Sequence, residues 1–161
     1  MFIRYLLISF LLLATHSVQA HQQCQTYIQP QSCRYYLCEE MNHTHGARGY
    51  FIEFGYKFCA NYIQAPKNYY QPQTVKWLSD VAICLQHKLS TAHGANDSVK
   101  QVWLKAVQTH AQCYYETGAC DLPKSELLKV INQFKYELRY PAIFFEGMKF
   151  VKFCATQRPG Y

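Results

Sequence analysis

Residues 73–91, QTVKWLSDVAICLQHKLST, decide the fold class because their apolar side chains recur at helical spacing. Each member of one apolar set in the run lies three or four positions from another member: Val75, Leu78, Val81, Ala82, Leu85 and Leu89. This spacing puts all six on one side of an α-helix. The run therefore predicts a long amphipathic helix whose apolar stripe needs other helices to pack against.

Helical spacing continues on both sides of this run. Residues 49–64 carry apolar side chains at the same period, and Pro66 ends the pattern. A third helix is predicted to begin at Ser98, which forms a capping box with Gln101, and to end at Gly118. These segments predict three consecutive helices.

Two further helices are predicted in the last third of the chain. The fourth starts at the DLPKS stretch, 121–125, and the fifth begins at Pro141. The predicted buried stripe of the fifth helix is Phe144, Met148, Val151 and Cys154. Residues 21–48 are expected to form an irregular N-terminal arm with a short helix at 31–41. Strand-like alternation is scarce, so the predicted fold class is all-α.

The first twenty residues have the pattern of a secretory signal peptide. Arg4 precedes an apolar run, YLLISFLLLA, and Val18 and Ala20 occupy the positions that a signal peptidase recognises. The run is short for a membrane span, and no second one follows it. We therefore predict a cleaved signal at 1–20 and a secreted single domain at 21–161, periplasmic or exported if the source is bacterial. An uncleaved signal anchor is the alternative.

The cysteines extend this prediction. All eight follow the predicted cleavage site: Cys24, Cys33, Cys38, Cys59, Cys84, Cys113, Cys120 and Cys154. An even number in an exported chain indicates four disulfides, although about a hundred pairings are open. In HAQCYYETGACDLP (110–123), Cys113 lies on the apolar face of the third helix and Cys120 in a turn, so different partners are expected. We predict a disulfide-stapled bundle of about five helices.

Charge and motifs exclude several classes of function. The formal charge of +6 becomes +5 when Arg4 is removed, and the charges are dispersed, so nucleic acid is not an expected partner. From Asp121 onward seven Lys and Arg face four Asp and Glu, which is typical of a solvated face; contact with anionic glycans or lipid headgroups is the alternative. No nucleophile–base, Walker, HExxH or EF-hand motif is present, and the carboxylates are scattered. We predict no enzyme and no cofactor.

One polar stretch, CEEMNHTHG at 38–46, could supply metal ligands. Its His43 and His45, with Glu39, Glu40 and the amino-terminal His21, have the donor types that borderline metals prefer. A metal site needs at least three ligands in a fixed geometry, and two histidines in a polar loop are more often solvated. We therefore predict no metal site, with His43 and His45 as the candidates if one exists.

Two Asn-x-Ser/Thr sequences, at Asn42 and Asn96, are N-glycosylation acceptors if the source is eukaryotic. His110 falls on the apolar face of the third helix with no carboxylate nearby in sequence, which predicts a hydrogen-bonded core histidine. Most aromatic residues are expected in the core. The RYY and NYY runs at 34–36 and 68–70 are expected to be exposed and are candidates for partner contact.

The order of the cysteines resembles that of the stanniocalcins, secreted glycoprotein hormones. The first three cysteines are spaced by nine and five residues, and an E-x-x-N-x-T stretch like the family's glycosylated loop follows. Residues 49–85 resemble the family's next helical segment, QCYYETGAC at 112–120 matches its C-Y-x₅-C pattern, and Cys154 falls at its next cysteine. Two family cysteines that bond to each other are both absent here. The family's C-terminal region with its dimerising cysteine is absent as well.

The resemblance implies the pairs Cys24–Cys38, Cys33–Cys59, Cys84–Cys113 and Cys120–Cys154, with no covalent dimer. It also implies hormone activity in extracellular calcium and phosphate homeostasis, with a receptor or a secreted protease as the protein partner. We therefore expect a secreted, non-enzymatic regulatory or binding protein. The alternative is a small secreted or periplasmic disulfide-rich helical enzyme or lipid-binding protein, which a deep pocket gathering His110 or His43 with a carboxylate would favour.

Overall fold

The computed structural model describes residues 22–66 and 68–157, so the predicted signal at 1–20 and His21 lie outside the described residues. Within the described ranges the chain has a helical turn at 22–25, seven α-helices and no strand, which confirms the all-α prediction. The helices are α1 (Arg34–His43), α2 (Lys57–Ile63), α3 (Pro72–Ala92), α4 (Val99–Gln108), α5 (His110–Glu116), α6 (Lys124–Gln133) and α7 (Pro141–Gln157).

The N-terminal arm contains the predicted short helix as α1, and α1 packs closely against the segment that leads into α2. That segment, Phe51–Tyr56, is a π-helical turn. Gly55 makes the close packing possible, because a Cβ atom at this position would lie 2.5 Å from the ring of Tyr36. The predicted helix at 49–64 is therefore present, but its first turn is wound more loosely than an α-helix.

The long amphipathic run forms α3, which Pro72 begins at a position where a missing N–H costs nothing. Leu78, Val81 and Leu89 are buried as the spacing predicts. Val75 is 45% exposed, however, and Trp77 is buried instead. The buried face at the start of α3 is thus rotated from the predicted stripe toward Trp77, which packs on the ring of Tyr114 in α5.

The predicted third helix is divided at Thr109. Its start has the expected capping box between Ser98 and Gln101. At Thr109 both the hydroxyl and the backbone N–H donate to the carbonyl of Ala106, at 2.7 and 3.1 Å, which tightens the turn and separates α4 from α5. Gly118 follows α5 with a φ of +89°, a left-handed conformation that glycine adopts readily, and ends the helical run as predicted.

Four disulfides brace the bundle, and no described cysteine is free. They are Cys24–Cys38, Cys33–Cys59, Cys84–Cys113 and Cys120–Cys154, the four pairs that the resemblance implies. Cys113 joins α5 to α3, and Cys120 joins α7, so these two cysteines have different partners. The bonds indicate an oxidising compartment. Among the described helices none is long and apolar enough to span a membrane.

The predicted buried stripe of α7 is wrong. Cys154 is fully buried, but Phe144, Met148 and Val151 are each more than half exposed. The helix instead turns Glu146 and Cys154 inward and packs on α4 and α5. Because α7 is apolar around most of its circumference, its sequence does not distinguish the two faces.

The aromatic runs at 34–36 and 68–70 are also placed differently from the prediction. Tyr35, Tyr36 and Tyr70 are buried, and only Tyr69 is partly exposed. Among the phenylalanines that the structure describes, Phe144 and Phe145 of α7 are the most exposed, at 51% and 62%. Exposed aromatic surface therefore lies at the C-terminal end of the bundle rather than in the arm.

Candidate functional site

Three titratable side chains from distant parts of the chain meet at the end of α1. Glu39 and His43 lie one helical turn apart on α1, and His93 is the residue that follows α3. The Glu39 Oε2 atom is 3.2 Å from His43 Nε2 and 3.6 Å from His93 Nε2. One nitrogen or oxygen atom from each of the three residues lies within 4.8 Å of those of the other two. We call these residues the Glu–His–His cluster.

The cluster is enclosed by aromatic rings. The side chains of Glu39 and His93 are fully buried, and that of His43 is 8% exposed. Phe51 stacks on the rings of His43 and His45, and the Tyr35 hydroxyl lies 3.1 Å from His93 Nε2. Burying a carboxylate is unfavourable unless it has partners, which here are the two imidazoles.

The local environment sets the protonation of the cluster. The Glu39 carboxylate raises the pKa of His43 above its ordinary value, although burial acts in the opposite direction. Burial raises the pKa of Tyr35 far above its usual range, so its side chain stays a neutral hydroxyl. The backbone of Ala95 contributes further to the raised pKa of His43. The cluster thus combines a carboxylate, two imidazoles and one neutral hydroxyl in a nearly dry site.

The sequence identified this site only in part. His43 and Glu39 belong to the cluster, but the His45 ring centroid lies 6.0 Å from that of His43, and Glu40 instead accepts the N–H of Gly46. His93 was missed, because it is 50 positions from His43 and no local spacing links them. The sequence shows only that His93 is a polar residue directly after the long amphipathic helix α3. That position alone does not indicate a functional site.

A large apolar cavity lies in the centre of the bundle. Its volume is about 280 Å³, and aromatic and aliphatic side chains from most helices line it. His110 and Glu146 also lie in its wall, so the structure places this histidine and a carboxylate at the same cavity. Glu146 is ion-paired with Lys149.

His110 behaves as the sequence predicts, as a hydrogen-bonded histidine of the interior. Its Nδ1–H donates to the carbonyl of Ala106 at 2.9 Å, and its ring contacts Tyr114 edge to face. Burial lowers the pKa of His110, which favours the neutral imidazole. In that tautomer Nε2 is an acceptor. His110 is therefore one of the few polar groups in a largely apolar wall.

The cavity reaches the surface along α7. Several side chains both line it and remain exposed, and Phe145 adjoins them through its contact with the Phe144 ring. We call this set the apolar rim; it consists of Ile131, Phe144, Phe145, Met148 and Val151. Exposed basic side chains lie in the same part of the chain: Lys135, Arg139, Lys149 and Lys152. This stretch, 135–152, contains only two carboxylates, Glu137 and Glu146, so it carries a net positive charge.

Both predicted glycosylation acceptors, Asn42 and Asn96, are exposed, as an acceptor side chain has to be. Their glycosylation stays a prediction. No protein-family model, curated protein or solved structure matches this chain. The stanniocalcin resemblance therefore stays a prediction as well, and the function has to be argued from the cluster, the cavity and the apolar rim.

Proposed function

We propose that the chain is a secreted, non-enzymatic binding protein of the stanniocalcin type, and that its apolar rim docks on another extracellular protein. The observation that carries this proposal is the exposure of the rim. Phe144, Phe145, Met148 and Val151 are all more than half exposed on one helix. Contiguous apolar surface on a soluble protein is typical of an interaction site.

Charge defines the chemistry of the partner. The basic side chains around the rim favour an apolar segment flanked by Asp or Glu, because opposite charges at the edge of an interface speed association and select the partner. The bond between Cys120 and Cys154 fixes the C-terminal part of α7. A surface that is already ordered loses little conformational entropy on binding. The rim therefore suits a partner that supplies an acidic, apolar helix or loop.

The test is capture of the partner from the native extracellular medium with the oxidised chain that begins at His21. F145D and V151D place a carboxylate in the rim, and V75D places one on α3 at a site that is 45% exposed. We expect wild type and V75D to retain the same protein, and both rim variants to lose it. Capture should also weaken as salt is added.

Equal capture by wild type and the rim variants would contradict the proposal. Binding to anionic phospholipid vesicles that the rim variants lose, without a retained protein, would assign the rim to a membrane surface instead. All variants should unfold at the wild-type urea concentration, because substitutions at exposed sites change stability by only about 0.5 kcal/mol.

The cavity favours a second candidate function, the binding of a small apolar ligand. Its volume of about 280 Å³ is close to the lower end for ligand sites, roughly 300 Å³. Ligand sites are mostly apolar with a few polar groups that orient the ligand, and His110 fits that role here. The ligand chemistry would be a hydrocarbon body with one hydroxyl or protonated carboxyl group that donates to His110 Nε2.

Gly147 offers a direct test of this second function. It lines the cavity, and a Cβ atom at this position would meet no atom within 4 Å, so G147L would fill part of the space. Uptake of a fluorescent fatty-acid analogue should fall in G147L and H110A, and persist in V75D. Unchanged uptake in G147L would exclude the cavity as the binding site. Loss of a hydrolytic activity in H110A, with unchanged melting, would favour the enzyme alternative.

A further inference from the structure

We propose that the Glu–His–His cluster binds one divalent transition-metal ion, with zinc as the best fit. This inference is independent of the apolar rim and of the proposed function. It rests on the identity of the three donors, on the distances between them, and on the surroundings that hold them in place.

The distances fit a tetrahedral ion. Zinc bonds to histidine nitrogen and carboxylate oxygen at about 2.0–2.2 Å, which puts neighbouring ligand atoms in a tetrahedron about 3.3–3.6 Å apart. The Glu39 Oε2 atom lies 3.2 Å from one imidazole nitrogen and 3.6 Å from the other. The ligand atoms of His43 and His93 lie within 4.8 Å of each other, so they have to approach by up to about 1 Å to centre an ion between the three atoms.

The donor set selects the class of metal. Two imidazoles and one carboxylate suit zinc and its neighbours, whereas calcium and magnesium prefer sites made of oxygen atoms. Three protein ligands also leave a fourth position for water or another small ligand. The negative charge of Glu39 would be partly neutralised by the ion, which gives this buried carboxylate a stronger partner than imidazole alone.

The surroundings hold the ligands in position. Glu39 lies one helical turn before His43 on α1, so the helix itself fixes the spacing of these two ligands. The Cys24–Cys38 bond anchors α1 at the residue next to Glu39, and Phe51 covers one side of the His43 ring. Of the three side chains only that of His43 keeps any exposure, at 8%, so an ion would enter from the His43 side.

Tyr35 makes the proposal testable against a purely structural role. Its hydroxyl lies 3.1 Å from His93 Nε2, the nitrogen that would coordinate the ion. Metal and hydroxyl therefore compete for the same nitrogen. If the cluster exists to bind metal, removing the hydroxyl should leave zinc affinity equal to or higher than that of wild type.

The first experiment is a Zn²⁺ titration of the oxidised chain in the presence of a chromophoric chelator. Wild type should bind one equivalent, and Y35F should bind it at least as tightly. E39Q, H43Q and H93Q should each lose at least about tenfold in affinity. H87Q is the matched control, because His87 is an exposed histidine on α3 outside the cluster, and it should bind like wild type.

Absence of zinc binding by wild type would overturn the proposal, as would wild-type affinity in H93Q. Weaker binding by Y35F would make the hydroxyl a ligand and overturn the three-ligand assignment. Some variants of the buried residues could fail to fold, so a second measurement uses wild type alone. On addition of Zn²⁺ the imidazole nitrogen resonances of His43 and His93 should shift and those of His87 and His110 should not; shifts confined to other histidines would refute the site.

Discussion

The two ends of this bundle depart from ordinary burial in opposite directions. At the end of α1 a carboxylate and two imidazoles are enclosed by aromatic rings, whereas at α7 aromatic rings are exposed among lysines. Charged groups are seldom fully buried without partners, and large contiguous apolar patches are seldom left uncovered. The first arrangement brings three possible metal ligands together, and the second leaves apolar surface uncovered, so each suits a ligand.

The two ends differ in the kind of ligand that each could bind. The side chains of the Glu–His–His cluster are enclosed by their own chain, and their donor atoms suit a single ion. The apolar rim is open, and no residue within 22–66 or 68–157 covers it, so a second molecule can dock there. Enclosure therefore indicates a metal at the first end, and exposure indicates a protein or a lipid-like ligand at the second.

The largest expected effect on stability is that of replacing Phe51 at the cluster end of the bundle. Phe51 is fully buried against His43 and His45, so F51A should lower the free energy of unfolding by about 3–5 kcal/mol through lost contacts and a cavity. Urea unfolding of the oxidised protein measures this loss. A change below about 1 kcal/mol would mean that the aromatic cover of the cluster is not part of the core.

Removal of the disulfides should rank the two ends by loop length. Cys120–Cys154 has a sequence separation of 34 and Cys24–Cys38 one of 14. In the chain-entropy account C120A/C154A should cost about 4 kcal/mol and C24A/C38A about 3 kcal/mol. Urea unfolding of both double variants tests this order. The reverse order would show that strain or residual structure, rather than loop entropy, controls the contribution of these bonds.

A smaller effect should appear in acid, at the contact between α6 and the start of α3. Glu126 accepts hydrogen bonds from Lys129 and from the N–H of Gln71, and the ammonium of Lys129, together with that N–H, lowers the pKa of the carboxyl. Its stabilisation is therefore present above the unfolded pKa of about 4.3 and is lost as pH falls through the lower folded value.

E126Q removes this dependence and should cost about 1 kcal/mol at neutral pH. Urea midpoints measured from pH 6 down to pH 2 should fall less steeply for E126Q than for wild type. E53Q, at an exposed glutamate of the π-helical turn, is the control and should follow wild type. Parallel pH profiles for wild type and E126Q would contradict the role of Glu126.

The smallest expected effect on stability is at the apolar rim. Phe145 is 62% exposed, so F145A should change the free energy of unfolding by less than about 0.5 kcal/mol. The chemical change is the same as in F51A, which makes the pair a direct comparison of the two ends. F145A should unfold at the same urea concentration as wild type but should capture less of the partner. A large loss of stability would show that Phe145 belongs to the core.

Local patterns predicted most of the fold because each depends on neighbours in sequence. The capping box at Ser98, the turn at Gly118 and the length of α3 all follow from a few adjacent residues. The buried face of α7 could not be predicted in this way. Its apolar residues occupy more than one face, and only packing on α4 and α5 selects the face that is buried.

The same distinction between local and tertiary information applies to the Glu–His–His cluster. Glu39 and His43 are four residues apart on a helix, so their proximity follows from the sequence once α1 is predicted. His93 joins them only because the bundle brings the end of α3 beside the end of α1. The burial of Tyr35 and Tyr36 has the same origin, since their rings pack against elements that are remote in the chain.

The sequence by itself determined the helical class, most helix ends and an even set of cysteines, because helical periodicity, capping and thiol content are local or compositional properties. Only the tertiary structure decided which faces are buried, which histidines meet and where apolar surface stays open. Burial depends on distant contacts, and a helix with two apolar faces has no local reason to prefer either one. For this protein that choice produces both the enclosed cluster and the open rim.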